Sequence, residues 1–214
     1  MSGLRVVPIV EGHGEVAAVR ILLDRIWREL IGGEYVDTLQ PVRVPRSKLL
    51  RHVEGRRGVR LDEPELGRAV ELAARKLAQR QEPPLPSLIL VLLDANSDCP
   101  KKLVPQIIAV ARKNAGKCAV DCVLANPEYE TWFVAAAESL ETYLDLSDSE
   151  IPPDPENAGC RKRWVADRFK GTYSETADQP ALTAAMDLNL CHQRSRSFRK
   201  LCEILRSQAG QHEA

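Results

Sequence analysis

The feature that most constrains the fold is a run of six aliphatic residues, Leu88 to Leu93, which stops abruptly at Asp94. A run of this length without a polar residue is typical of a strand that is buried on both faces, as in the centre of a parallel sheet. Parallel neighbours need long crossover connections, and these are usually helices. The run therefore predicts an α/β fold.

Three other segments have the short, β-branched and mostly apolar character of strands, and segments of helical periodicity separate them. The predicted strands besides 88–93 are residues 4–10, 35–44 and 118–124. The predicted helices between them are residues 15–30, 64–81 and 101–114. This alternation predicts a Rossmann-like fold, with a central, mainly parallel four-stranded sheet flanked by helices. Because Pro8 removes one ladder hydrogen bond, we expect the first strand to lie near an edge or to carry a local irregularity.

The pattern changes after Asn126, and the rest of the chain has no clear strand. Helical segments are predicted at 128–138 and 198–206, with a polar stretch of short helical pieces at 156–179 between them. We therefore divide the chain into an α/β domain at residues 1–126 and a helical extension at 127–214 that packs on it.

The chain has 30 basic and 30 acidic residues, so its formal net charge is zero. A role on nucleic acid would need a local basic patch, because no overall positive charge attracts phosphate. No apolar stretch reaches the roughly 18–20 residues that a membrane helix needs. Six cysteines without a Cys-x-x-Cys pair and four scattered histidines lack the spacing of a zinc site, and they indicate reduced thiols and a cytoplasmic location.

Two of the predicted strands end abruptly in acidic residues. Glu11 follows the first strand, and Asp94 follows the aliphatic run. The carboxyl ends of parallel strands meet at one rim of the sheet, where α/β proteins bind their ligands. Carboxylates at such a rim suit a hard cation such as Mg²⁺ or Mn²⁺. We expect Glu11 to bind the metal or to act as a general acid or base, and Asp94, Asn96 and Asp98 to turn toward the same ion.

Several acids near the rim have a plainer interpretation. Asp98 could cap the following helix, and Glu15 could be a first-turn acid favoured by the helix dipole. Glu130 would follow the fourth strand at the same rim as a third candidate acid, although an ordinary exposed helix glutamate has the same local sequence pattern. A Rossmann-like nucleotide-binding enzyme is disfavoured, because the segment Glu11–Glu15 lacks the Gly-x-Gly-x-x-Gly pattern.

Residues 45–61 are interpreted as a basic loop. Its Lys48, Arg51, Arg56 and Arg57 are the residues that we expect to contact the phosphates of a nucleic acid. The alternative is a solvated surface loop, since charged side chains are mostly exposed in any case.

The pairing of Glu11-Gly12-His13-Gly14-Glu15 with Asp94-Ala95-Asn96-Ser97-Asp98 resembles the TOPRIM domain. That domain is shared by topoisomerases, bacterial primases and the nucleases of the OLD (overcoming lysogenisation defect) family. Its signature is a glutamate after the first strand and an Asp-x-Asp after the third. This chain departs from the signature at Asn96, where an amide replaces the second acid and binds a cation less strongly. Asp98 would compensate for the lost charge.

A second block extends the resemblance over nearly the whole chain. Residues 126–133 resemble the Pro-x-x-Glu-x-Trp segment of a bacterial TOPRIM-like family catalogued only as a domain of unknown function, and residues 195–201 resemble its C-terminal segment. The resemblance implies a metal-dependent nuclease with a partner ATPase, in defence against phage or mobile elements. The implied catalytic residues are Glu11, Asp94 and Glu130, and the implied ligands of Mg²⁺ or Mn²⁺ are Glu11, Asp94, Asn96 and Asp98. The alternative is a noncatalytic regulatory or interaction subunit, and homo-oligomerisation stays open.

Overall fold

The computed structural model of the protein describes residues 3–52, 59–80, 82–147, 151–157 and 159–209. The strands are β1 (Gly3–Val10), β2 (Tyr35–Thr38), β3 (Val42–Arg43), β4 (Leu50–His52), β5 (Val59–Leu61), β6 (Ser87–Asp94) and β7 (Ala119–Ala125). The helices are α1 (His13–Arg25), α2 (Arg46–Leu49), α3 (Glu63–Gln79), α4 (Pro100–Asn114), α5 (Glu130–Ala135), α6 (Arg161–Arg168), α7 (Glu175–Ala185), α8 (Leu188–Arg194) and α9 (Arg196–Ala209). A π-helical stretch (Ile26–Ile31) continues α1, and a 3₁₀ turn (Ala137–Leu140) follows α5.

The centre of the molecule is a parallel sheet with the strand order β2-β1-β6-β7, in which β3 also pairs with β1. All of these pairings are parallel, so the strands run in one direction, and β1, β3, β6 and β7 end at the same rim, whereas β2 ends beside the middle of β1. The predicted α/β fold with a parallel sheet and flanking helices is confirmed. Among the described residues the sheet has five strands and not the predicted four, because the strand expected at 35–44 is divided into β2 and β3. The two strands that precede Glu11 and Asp94 are neighbours in the middle of the sheet, which puts both acids at the centre of its carboxyl rim.

Pro8 lies in β1, one strand in from the edge strand β2, and β2 and β3 leave a gap beside it, which agrees with the expectation of a position near an edge or a local irregularity. In a parallel strand, alternate residues direct both backbone groups to the same neighbour. The carbonyl of Val6 accepts from Leu39 N at 2.9 Å, and that of Val10 accepts from Val44 N at 2.9 Å. Pro8, between them, faces the gap where β2 has ended and β3 has not begun. The missing N–H therefore costs no ladder bond.

The two faces of the sheet carry two separate hydrophobic cores. Side chains alternate between faces along a strand, so Leu90 and Leu92 of β6 enter one core and Ile89 and Val91 enter the other. The first core is shared with α1 and with the C-terminal helices, for example through Phe198 of α9. The second is built with α3 and α4. Burial on both faces is the physical reason for the uninterrupted aliphatic run.

The segment predicted as a basic loop has regular structure, which corrects that interpretation. Helix α2 is followed by an antiparallel hairpin of β4 and β5. The apolar residues Leu49, Leu50 and Leu61 are buried in the second core and hold the segment against the sheet. Residues 53–58 lie outside the described ranges, and the predicted phosphate contacts Arg56 and Arg57 fall among them.

The C-terminal part of the chain is helical, as predicted. The helix expected at 128–138 is divided into α5 and the 3₁₀ turn, and the final helix α9 is longer at both ends than the expected 198–206. Within the ranges given above, no helix has the length and apolar character that crossing a membrane would require.

Candidate metal centre

Three carboxylates meet at the carboxyl rim of the sheet. Glu11 follows β1, Asp94 ends β6, and Glu15 lies in the first turn of α1. One oxygen of each lies within 4.8 Å of an oxygen of both others. This is the ligand type and spacing that a divalent cation requires from a small set of carboxylates.

Local backbone geometry brings the three side chains together. Asp94 N donates to Glu11 Oε1 at 2.5 Å, which ties the ends of the two central strands. Glu15 Oε2 accepts from the N–H groups of Glu11 and Gly12 at 3.0 and 3.1 Å, and so caps the start of α1. Asp94 Oδ1 accepts from Tyr129 N at 2.8 Å. Each carboxylate is thus oriented through one of its two oxygens.

The second oxygen of each carboxylate remains available. Among the described residues, no hydrogen-bond donor reaches Glu11 Oε2, Glu15 Oε1 or Asp94 Oδ2. None of the three is among the fully buried side-chain atoms that lack a partner in the described residues, so these oxygens are open to solvent. A cation from solution could therefore reach all three carboxylates through them.

The raised pKa values of the three acids also favour a bound cation. Burial, together with the nearby charges of Glu11 and Glu130, raises the pKa of Glu15 to about 7 despite its two backbone hydrogen bonds. Burial raises the pKa of Asp94 well above its ordinary value, and the charges of Glu15, Glu11 and Glu130 add to this. Burial also raises the pKa of Glu11, against the opposing effects of Asp94 N and of the Arg46 charge. A divalent cation would remove this mutual repulsion.

Glu130 is a fourth buried acid beside the cluster. It begins α5, directly beyond the end of β7, and only 2% of its surface is exposed. Its Oε1 accepts from the hydroxyl of Tyr173 at 2.8 Å and from Nε2 of Gln179 at 3.1 Å. Burial raises its pKa. The exposed-helix interpretation of Glu130 is therefore wrong, although it lies outside the group of three whose oxygens converge within 4.8 Å.

Asp98 is engaged by an arginine. Its carboxylate accepts a hydrogen bond from Arg46, which also donates to the carbonyls of Asp94 and Ala95. Nη1 of Arg46 lies 3.9 Å from Oε1 of Glu11, at the margin of the cluster. Asp98 is not one of the three converging carboxylates. It is not a helix cap either, because Cys99 occupies the N-cap position of α4.

Asn96 occupies a left-handed turn just past the rim. Its φ of 51° is a conformation that asparagine tolerates better than most residues. Its N–H donates to the carbonyl of Pro127 at 2.7 Å, and the residue is exposed. It lines a cleft together with Asn126 and Glu128. Its predicted role as a metal ligand stays a prediction.

The two described residues of the predicted phosphate-binding set differ in their surroundings. Arg51 pairs with Asp62 at 2.6 Å, although 71% of its side chain is exposed. Lys48 is exposed on α2. Their contacts with nucleic acid stay predictions.

Glu15 and Arg46 are the site residues that the sequence did not assign to the metal centre. For Glu15 a signal was present, because side chains in the first turn of a helix lean back toward its N-terminus and so toward the strand end that carries Glu11. For Arg46 there was none, since its partners Asp94 and Asp98 lie 48 and 52 residues away along the chain.

Comparison with known proteins identifies a family for this chain. The family model described as "Domain of unknown function (DUF4276)" matches residues 10–206, a range that includes the three clustered carboxylates. No curated protein and no solved structure matches the chain significantly. A family match over most of the sequence, from the first acid of the rim to the last turns of α9, shows that this chain belongs to the DUF4276 family.

Proposed function

We propose that the protein is a metal-dependent phosphodiester hydrolase of the TOPRIM type that acts on nucleic acid. The observation that carries this proposal is the convergence of Glu11, Glu15 and Asp94 within 4.8 Å at the carboxyl rim of the parallel sheet. A buried acidic cluster of this kind costs folding free energy unless a cation compensates it, so a ligand-binding role explains it better than a structural one.

In this proposal Glu11, Glu15 and Asp94 hold Mg²⁺ or Mn²⁺, which supplies charge stabilisation at a phosphate oxygen when bound. The positions of these ligands are fixed by other groups of the chain. Arg46 holds the turn beyond β6 through the carbonyls of Asp94 and Ala95. Its charge beside Glu11 favours an anionic substrate at the rim.

Outside the three carboxylates assigned to the metal, Glu130 is the buried acid that is placed to hold a proton. Its raised pKa keeps the acid protonated over a wider pH range than an exposed glutamate. Tyr173 and Gln179 both donate to Oε1, which leaves Oε2 as the oxygen that would carry the proton. Glu130 would therefore act as a general acid beside the metal.

The relationship to topoisomerases, primases and OLD-family nucleases is part of the proposal. It is supported by the acidic residues at the ends of two adjacent central strands and by the parallel sheet that brings them together. The partner ATPase and the role in defence against phage or mobile elements rest on the sequence resemblance alone.

A second candidate function is a noncatalytic subunit with the same fold. The observation that favours it is the loss of negative charge on the Asp94 side of the site, where Asn96 replaces an acid and Asp98 is paired with Arg46. Two metal ions about 4 Å apart need several carboxylates. Three converging carboxylates suit one ion, so any cleavage should be slow and better supported by Mn²⁺ than by Mg²⁺.

A nuclease assay separates these functions. Linear, nicked and single-stranded substrates would be incubated with Mg²⁺ or Mn²⁺ and wild-type protein, and the same assay repeated with Asp94→Asn. Glu34→Gln is the matched control, because Glu34 is exposed and remote in sequence from the rim. We expect metal-dependent cleavage that disappears in Asp94→Asn and persists in Glu34→Gln. Cleavage that survives in Asp94→Asn would contradict the proposed centre, and no cleavage of any substrate would favour the subunit.

A further inference from the structure

A cavity of about 590 Å³ lies beyond the edge strand β7, between the first turns of α4 and α9. Its lining includes the aliphatic side chains of Val104 from α4 and of Val123 and Leu124 from β7. This volume is in the range of cavities that hold small organic ligands. A smaller cleft of about 370 Å³ shares Asn126 and Glu156 with it, so the two are adjacent, and together they define the groove.

The groove begins beside the metal centre. The smaller cleft is lined by Asn96 and Ser97, which follow Asp94 by two and three residues. Ala95 N donates to the carbonyl of Ala125 at 2.7 Å, which fixes Asn126 at the end of the strand next to β6. Adjacent strands are about 4.8 Å apart. The groove therefore extends from the acidic cluster across the carboxyl rim to the cavity behind β7.

The far end of the groove is positively charged. Lys101, Arg196 and Lys200 line the cavity, and Glu156 is the acidic residue among its lining side chains. Nε of Arg196 pairs with Glu156 at 3.0 Å. Lys200 has only an exposed contact of 3.4 Å with Glu203, and Lys101 has no ion pair within the described part of the chain. The chain as a whole has zero net charge, so this local excess of basic side chains favours the binding of an anion at the cavity.

A cation also lies on the other side of the acids. Arg43 ends β3 and donates to the carbonyl of Glu11 at 3.3 Å. The order along the rim is thus a basic residue at the end of β3, acids after β1 and at the end of β6, Asn126 and the carboxylate of Glu128 after β7, and basic residues around the cavity. A strand of phosphates laid across the sheet would meet cations on both sides of the metal.

We infer that the groove binds a single strand of nucleic acid, with one base in the cavity behind β7 and the flanking phosphates on Lys101 and Lys200. This inference rests on the proposed function and names its substrate class. An aliphatic wall accepts the face of a base, and a base is accessible only when it is unpaired. A duplex presents no free base to the cavity, so the groove selects single strands or frayed ends over blunt duplexes.

Binding without cleavage tests the inference. Fluorescence anisotropy would follow a labelled single strand of about 12 nucleotides, and a blunt hairpin duplex, in EDTA. The variants are Lys101→Glu and Lys200→Glu, and the matched control is Lys113→Glu, an exposed lysine at the other end of the same helix α4. We expect about tenfold weaker binding for each of the first two, with a salt dependence shallower by about 0.7 in the log–log slope. Lys113→Glu should bind as wild type does.

Three outcomes would contradict binding of a single strand in the groove. They are an affinity of both variants equal to that of the wild type, an equal loss of affinity in Lys113→Glu, and a blunt duplex bound as tightly as the single strand. The readout is independent of the nuclease proposal. Binding that depends on Lys101 and Lys200 without any cleavage supports the groove and counts against the nuclease. Metal-dependent cleavage that Lys101→Glu does not change would support the nuclease proposal and contradict binding of the substrate in the groove.

Discussion

Glu15→Gln is expected to stabilise the metal-free protein at alkaline pH while it weakens metal binding. The side chain is 5% exposed, close to Glu11 and Asp94, and has a pKa raised to about 7 from an ordinary 4.5. Glutamine keeps an oxygen that can accept the N–H groups of Glu11 and Gly12, so the start of α1 keeps its cap. What the substitution removes is the buried negative charge.

The pH dependence follows from the direction of this shift. Since the pKa is higher in the folded protein, the folded state keeps the proton between about pH 4.5 and 7 whereas the unfolded chain releases it. The free energy of unfolding falls as pH rises through this window, and the full cost is present above pH 7. The two pKa values differ by about 2.5, which corresponds to roughly 3 kcal/mol. Glu15→Gln removes that cost, so most of the gain should be seen at about pH 8 and little at about pH 5.

Urea unfolding in EDTA at about pH 5 and pH 8 measures this difference directly. Glu34→Gln, at an exposed position, is the control and should leave the free energy of unfolding nearly unchanged at both values. Added Mn²⁺ should stabilise the wild type at about pH 8 more than Glu15→Gln, because the ion binds the folded site and the variant lacks one of its three carboxylates. A variant that is no more stable than wild type at pH 8, or equally stabilised at both pH values, would refute the account of the cluster.

Two further substitutions test the surroundings of the site. Gly14→Ala should lower the free energy of unfolding in urea by about 1–3 kcal/mol through overpacking, because the new Cβ would lie 2.3 Å from Oε1 of Gln179. Gly12→Ala is the control, because its Cβ would have no contact closer than 3.5 Å. Equal losses in the two variants would show that α1 and α7 are not tightly packed at Gly14. Asn96→Asp should strengthen Mn²⁺ binding about tenfold in a titration if the residue adds a carboxylate to the ion, and an unchanged affinity would remove Asn96 from the metal site.

The sequence predicted the centre of the fold because one physical signal dominated there. The aliphatic run at 88–93 had to be buried on both faces, and it forms β6 between β1 and β7. The expectation that Glu11 and Asp94 would meet followed from the parallel arrangement alone, since neighbouring parallel strands end at one rim. Both features depend on local composition and chain direction, which a single sequence contains.

The features that were missed depend on contacts between distant parts of the chain. The hairpin after α2 is held by Leu49 and Leu61 against a core that no local pattern reveals. Arg46 reaches Asp98 across 52 residues, and the sequence alone assigned Asp98 to the metal. Glu15 was visible as a helix-start acid, but its position beside Asp94 depends on the angle at which α1 leaves β1.

The most direct test of the central claim is a calorimetric titration of Mn²⁺ into metal-free protein, alone and with a single-stranded oligonucleotide. The wild type should bind one ion per chain, in the second condition at least. Asp94→Asn, which can still accept the N–H of Tyr129, should lose at least about tenfold in affinity, while Glu34→Gln should bind as the wild type does. Absence of binding in both conditions, or undiminished binding by Asp94→Asn, would contradict a metal centre built on Glu11, Glu15 and Asp94.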